Sequence, residues 1–132
     1  MRSVRKCGER GAITVWTAVV LIGFIMIIGI GVDFSGHARA TQEARGIAAE
    51  AARAGQQHLK LTSGNLKPSP DIAKQAAEKY VAASRFRGTA QMIGDTVIEV
   101  KVTGEYTCMF LNIIGIRTLP VRAEGTSELH SS

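Results

Sequence analysis

The spacing of apolar and polar positions divides the chain into a long apolar run, two helical stretches and a set of short alternating segments. From Ala12 to Val32 the sequence AITVWTAVVLIGFIMIIGIGV has no charged residue over 21 positions, and its polar side chains are Thr14, Thr17 and the Trp16 indole N–H. At a rise of ~1.5 Å per residue a helix of this length reaches about 31 Å, the thickness of a bilayer's hydrocarbon core. A core helix of a small soluble domain is shorter and keeps a polar edge. The run therefore predicts a membrane-spanning helix. Gly23, Gly29 and Gly31 within it permit close approach of a second helix, although none forms a G-x-x-x-G pair.

From Ser35 to Lys60 the pattern stays helical. Ala40, Ala44, Ala48 and Ala52 recur every fourth residue, and Ile47, Ala51, Gly55 and Leu59 widen the stripe. Arg39–Glu43 and Glu50–Arg53 sit at spacings suited to surface ion pairs. The simplest arrangement continues the membrane helix outward, with a bend near Gly31 or Gly36. The thin alanine face is expected to pack closely, as core or as a subunit interface. Ser63–Ser69 reads as a loop. A second helix follows, with Ser69 as N-cap, Pro70 at the first helical position and Asp71 at the positive end of the dipole. Its apolar side is Ile72, Ala73, Ala76, Ala77, Tyr80 and Val81, and it should stop near Gly88.

The remainder reads as strands. Ile98, Val100 and Val102 alternate with Glu99, Lys101 and Thr103 after a Gly94-Asp95 turn, with Ala90–Ile93 as a short partner. Phe110–Ile116 is apolar without alternation, which fits a helical turn or an insert between strands. Leu119, Val121 and Ala123 alternate with Pro120, Arg122 and Glu124. Pro120 cannot donate to a ladder, so this last strand belongs at an edge. The sheet is expected to be small and antiparallel, which makes the fold class α+β.

Charge orients the span. Residues 1–11 hold Arg2, Arg5, Lys6 and Arg10 against Glu9, whereas the region from Asp33 onward holds 12 Lys and Arg against 10 acids. Most of the net charge of +5 thus flanks the apolar run. By the positive-inside rule residues 1–11 are a cytoplasmic basic leader, 12–32 the transmembrane helix and 33–132 an extracytoplasmic domain. The same distribution explains the high pI without a nucleic-acid partner, because no basic cluster interleaved with aromatics occurs beyond the span. Arg10, Trp16 and Asp33 mark the membrane interface: Trp16 as an anchor near the cytoplasmic end, Asp33 as a solvated carboxylate where the span ends. Cys7 and Cys108 fall on opposite sides of the membrane and cannot pair within one chain; Cys108 reads as a small apolar residue in a strand. His37, His58 and His130 lack metal-ligand spacing, and no nucleophile elbow or phosphate-binding glycine loop is present. These patterns point away from an enzyme and call for no cofactor or metal.

Glu9-Arg10-Gly11-Ala12-Ile13-Thr14-Val15, followed by the apolar helix and Gly31-Val32-Asp33, resembles the start of TadE/TadG-like proteins of the tight-adherence (Flp) pilus system. Gln42-Glu43-Ala44 and Glu50-Ala51-Ala52-Arg53-Ala54-Gly55 are similar to their Ala-rich helix beyond the membrane. Phe110–Ala123 is similar to their closing segment. The resemblance implies a pilin-like architecture and a membrane-anchored accessory or minor subunit that packs with other pilus-assembly or pilin-like subunits in a hetero-oligomer. It also implies a leader cleavage between Gly11 and Ala12 by a prepilin peptidase. One position departs: pilin-like members carry Glu at the fifth residue after the cleaved Gly, where this chain has Trp16. The helix-packing interface expected with a neighbour is Ala40, Ala44, Ala48 and Ala52. Two other readings compete. One is a secreted binding domain released after Ala40 at the A-x-A sequence Ala38-Arg39-Ala40, although the apolar run exceeds the ~7–15 residues of a signal h-region. The other is a self-polymerising pilin, against which the missing Glu argues.

Overall fold

A computed structural model describes residues 4–62 and 70–128, with side-chain burial for 9–58 and 70–128. One helix, α1, runs from Val4 to Thr62. It passes through Gly31 and Gly36 without interruption, so the expected bend is not marked by any break in the helix. No proline falls between residues 4 and 62 to remove an i→i−4 bond. A second helix, α2, spans Pro70–Ala82, and three strands follow: β1 at Arg87–Ile93, β2 at Val97–Thr107 and β3 at Thr118–Glu128. A short 3₁₀ turn at Leu111–Ile114 lies between β2 and β3. The sheet is antiparallel in the order β1-β2-β3. The architecture is thus the α+β class expected, with β3 and its Pro120 at an edge.

Period-two alternation sets the register. Ile98, Val100 and Val102 are fully buried, with Ala90, Val121 and Ala123 beside them, while Lys101, Thr103, Arg122 and Glu124 face outward. The buried face is covered by α1 and α2. Ala40, Ala44, Ala48, Ala51 and Ala52 of α1 and Ala73, Ala77 and Val81 of α2 complete the core. The approach is close because the facing residues are small. A Cβ added at Gly125 of β3 would lie 2.5 Å from the backbone carbonyl carbon of Ala48. The alanine stripe expected to mate with a neighbouring subunit is therefore occupied by the chain's own sheet and second helix. Each of Ala40, Ala44, Ala48 and Ala52 is buried within a single chain.

Two further expectations are corrected. The second helix stops at Ala82 rather than near Gly88. The Ser84 hydroxyl donates to the Val81 carbonyl (2.6 Å) and accepts from the Phe86 N–H (3.2 Å), offering the backbone an alternative to another helical turn. This swings Phe86 into the core, and Gly88 becomes a strand residue opposite Val102. The apolar side of α2 is also narrower than the sequence suggests: Ala73, Ala77 and Val81 are buried, whereas Ile72 and Tyr80 are exposed. The expected cap Ser69 lies outside the described residues. Of the two ion pairs expected on α1, Glu50–Arg53 forms at 3.1 Å. Glu43 instead pairs with Arg85, at 2.6 Å, joining α1 to the α2–β1 connection.

Candidate membrane-proximal site

The sheet is laid along α1 in a fixed direction. Ile98 sits against Gly55 and Tyr106 against Gly36, so β2 runs back toward the apolar end of α1. His37 Nε2, which faces the Pro120 carbonyl at 2.9 Å, carries the proton and donates it. Gly125 lies against Ala48, so β3 runs away again. The β2–β3 connection, residues 108–117, is thus the tip of the domain nearest the apolar run. At this tip α1 supplies Asp33.

Asp33 is fully buried. Its carboxylate accepts three backbone N–H bonds from the connection: Oδ1 from Met109 (2.8 Å), Oδ2 from Phe110 (2.8 Å) and from Leu111 (2.7 Å). Three successive N–H groups converging on one carboxylate match its capacity as an acceptor. Burial acts to raise the carboxyl's pKa. The bonds from Leu111, Met109 and Phe110 together outweigh it and hold the group below its ordinary value, so it stays ionised. The solvated carboxylate expected where the span ends is instead an enclosed clamp between helix and sheet. Tyr106 lies over Gly36, one turn along α1, edge-on to His37 with ring centroids 6.5 Å apart.

Cys108 adjoins this clamp, just past the end of β2, and its N–H donates to the Arg117 carbonyl at 2.8 Å. Its thiol is free and buried. Burial pushes its pKa up, and the negative charge of Asp33 adds to that. The side chain behaves as the small apolar residue read from the sequence, one position beyond the strand rather than in it.

The other residues singled out in the sequence are not brought to this site. Arg10, Gly11, Ala12 and Trp16 lie exposed on α1. Trp16 is 17 residues from Asp33, about 25 Å along a helix rising ~1.5 Å per residue. The Thr14 and Thr17 hydroxyls donate to the carbonyls of Arg10 and Ile13, each at 2.9 Å, so both hydroxyls of the apolar run are satisfied within their own helix. The sequence does not disclose the partner of Asp33. Its only trace is a lone acid closing an apolar run, together with an apolar insert that breaks strand alternation. Among the described residues no group of three His, Cys, Asp or Glu could hold a metal ion.

One end of α1 is bare and long and apolar enough to cross a membrane, with almost none of its most apolar stretch buried. The other end is the spine of a small α+β domain. That architecture defines the class: an extended N-terminal apolar helix carrying a compact α+β head. Residues 11–77, just over half of the chain, match the model of the Flp pilus-assembly TadE/G-like family, and the chain belongs to this family. It is thereby placed among components of Flp pilus assembly. Comparison with curated proteins and with solved structures gave no match.

Proposed function

We propose that the chain is a membrane-anchored accessory or minor pilin-like subunit of Flp/Tad-type pilus assembly, with no catalytic step of its own. The observation that carries this reading is the family match beginning at Gly11, the residue of α1 that directly precedes its bare apolar run. In this reading residues 1–11 remain on the cytoplasmic side, 12–32 cross the membrane and 33–132 form the outer domain, the orientation that the basic flank favours. Arg10 and Trp16 meet the inner interface.

The surface left for partner subunits is the apolar half of α1, because the alanine stripe is spent on the chain's own core. Val15, Val19, Ile22 and Met26 all face outward there. Helices of other pilin-like subunits would pack against it by close van der Waals contact, as spans do in lipid. Release after Ala40 fits poorly: the A-x-A sequence lies inside unbroken α1, Ala40 is buried, and a cut there would remove Asp33 from the domain.

Intact mass of the chain recovered from its native membrane tests the reading. A chain that keeps Arg2–Gly11, or one that starts at Ala12 after processing by a prepilin peptidase, retains the span and upholds the anchored subunit. A start at Thr41 overturns it in favour of a secreted domain. A chromosomal deletion should abolish or reduce pilus display, and complementation should restore it. Undiminished pili in the deletion strain would remove the assembly role.

A further inference from the structure

We propose that the connection between Cys108 and Arg117 is a second membrane-contacting element, a shallow apolar foot that enters the lipid leaflet beside the α1 span. The inference rests on the membrane-anchored reading above, and three observations carry it. The first is position. The Phe110 ring packs on Gly29 of α1, where an added Cβ would lie 2.8 Å from ring carbons. Gly29 lies three residues inside Val32, the end of the apolar run, about 4.5 Å at ~1.5 Å per residue. Whatever is seated on that glycine shares its depth. The resulting depth is that of interfacial elements, which enter a bilayer by ~5–10 Å.

The second is chemistry. Ile113 is 83% exposed, Met109 70% and Ile114 64%, and Phe110 and Ile116 are exposed as well. These side chains crowd one short connection and surround the clamp without contributing to the core. Arg117 follows directly, exposed, with a stem long enough to keep its guanidinium at the headgroups while the turn lies deeper.

The third is the backbone. Irregular chain is tolerated at membrane depth only where its polar groups are satisfied. Asp33 takes the N–H groups of Met109, Phe110 and Leu111. Cys108 donates to Arg117, Ile113 to Phe110, Gly115 to Asn112 and Ile116 to Leu111. An ordinary solvent-facing loop has water for these groups and needs no buried carboxylate to collect them. A protein partner outside the membrane would cover the same apolar residues, but it would not sit at the depth that Gly29 imposes.

Fluorescence of the full chain in vesicles containing brominated lipids tests the foot. The native Trp16 reports whether the span is inserted. In a Trp16→Phe background, Ile113→Trp is placed on the foot and Thr126→Trp on the outward face of β3. The expected result is blue-shifted emission from the Ile113→Trp chain, with greater loss to lipids brominated near the headgroup than to those brominated near the acyl end. The Thr126→Trp chain should emit as in water, without loss. Met109→Trp serves as the second probe should Ile113→Trp fail to fold. Water-like, unquenched emission from the foot while Trp16 is quenched overturns the foot and leaves the anchor standing. Blue-shifted emission that bromine does not quench overturns it in favour of a covering protein, such as a second copy. Unquenched Trp16 in the unmodified chain overturns the anchor and the foot together.

Discussion

Asp33→Asn keeps the side chain's size but leaves one acceptor atom where three N–H groups converge, and turns an amide N–H toward a donor. The variant should unfold at a lower temperature than the unmodified chain at neutral pH. The gap should also depend on pH, with a definite sign. The folded carboxyl sits below the ordinary value near 3.8, so the unfolded chain takes up a proton first. The stability that Asp33 contributes is complete above that ordinary value and is lost as pH falls through the folded one. The gap between the melting curves of the two chains should narrow as pH falls below that ordinary value, because the remaining carboxylates are common to both. A constant gap would mean that charge is not what holds the clamp. Beside it, Cys108 should resist maleimide in the folded chain and react on unfolding, since burial and the nearby carboxylate both suppress the thiolate. Rapid labelling of Cys108 under native conditions would show an open clamp.

The helices and strands respond to substitution according to which face they bury. Ala48→Leu pushes extra volume into the gap between α1 and β3, where Gly125 already touches the Ala48 backbone, and should destabilise by about 1–3 kcal/mol. Ile98→Ala, in the sheet centre, should cost about 2–5 kcal/mol. Ile113→Ala, on the exposed 3₁₀ turn, should shift the denaturation midpoint of the detergent-solubilised chain little, within about 0.5 kcal/mol. Equal effects of the three in chemical denaturation would contradict the assignment of the core. The same faces explain what sequence could reveal. Ile98, Val100 and Val102 announced their strand because a half-buried sheet imposes a period of two, and Pro120 announced its edge because it lacks an N–H. Ala40 to Ala52 announced a packed stripe but not its occupant, since alanine fits a sheet or a neighbouring helix equally well. The bonds that Asp33 accepts leave no signature of their partner beyond a lone acid and an apolar insert: the donors lie 76 to 78 residues away and are backbone groups, which every sequence possesses. The end of α2 is illegible for a similar reason, because Ser84 is as compatible with a helix as with the turn it makes.

At the scale of the molecule, the proposed orientation has a direct check. A reporter active only outside the cytoplasm, fused after Ser132, should be active, and the same reporter fused before Met1 should be silent. The reverse pattern would invert the topology and would set the basic flank against its usual side. The unbroken α1 then has a mechanical consequence. Some 30 residues of this helix continue past Val32 to Thr62, an arm of about 45 Å against a membrane-embedded length of about 31 Å. With no joint between them, the two lengths move as one lever. A lean of about 20°, ordinary for a span, carries the far end sideways by about 15 Å. Packing against neighbouring spans and the interfacial anchors, which set the lean, thereby set how far the head reaches over the membrane surface.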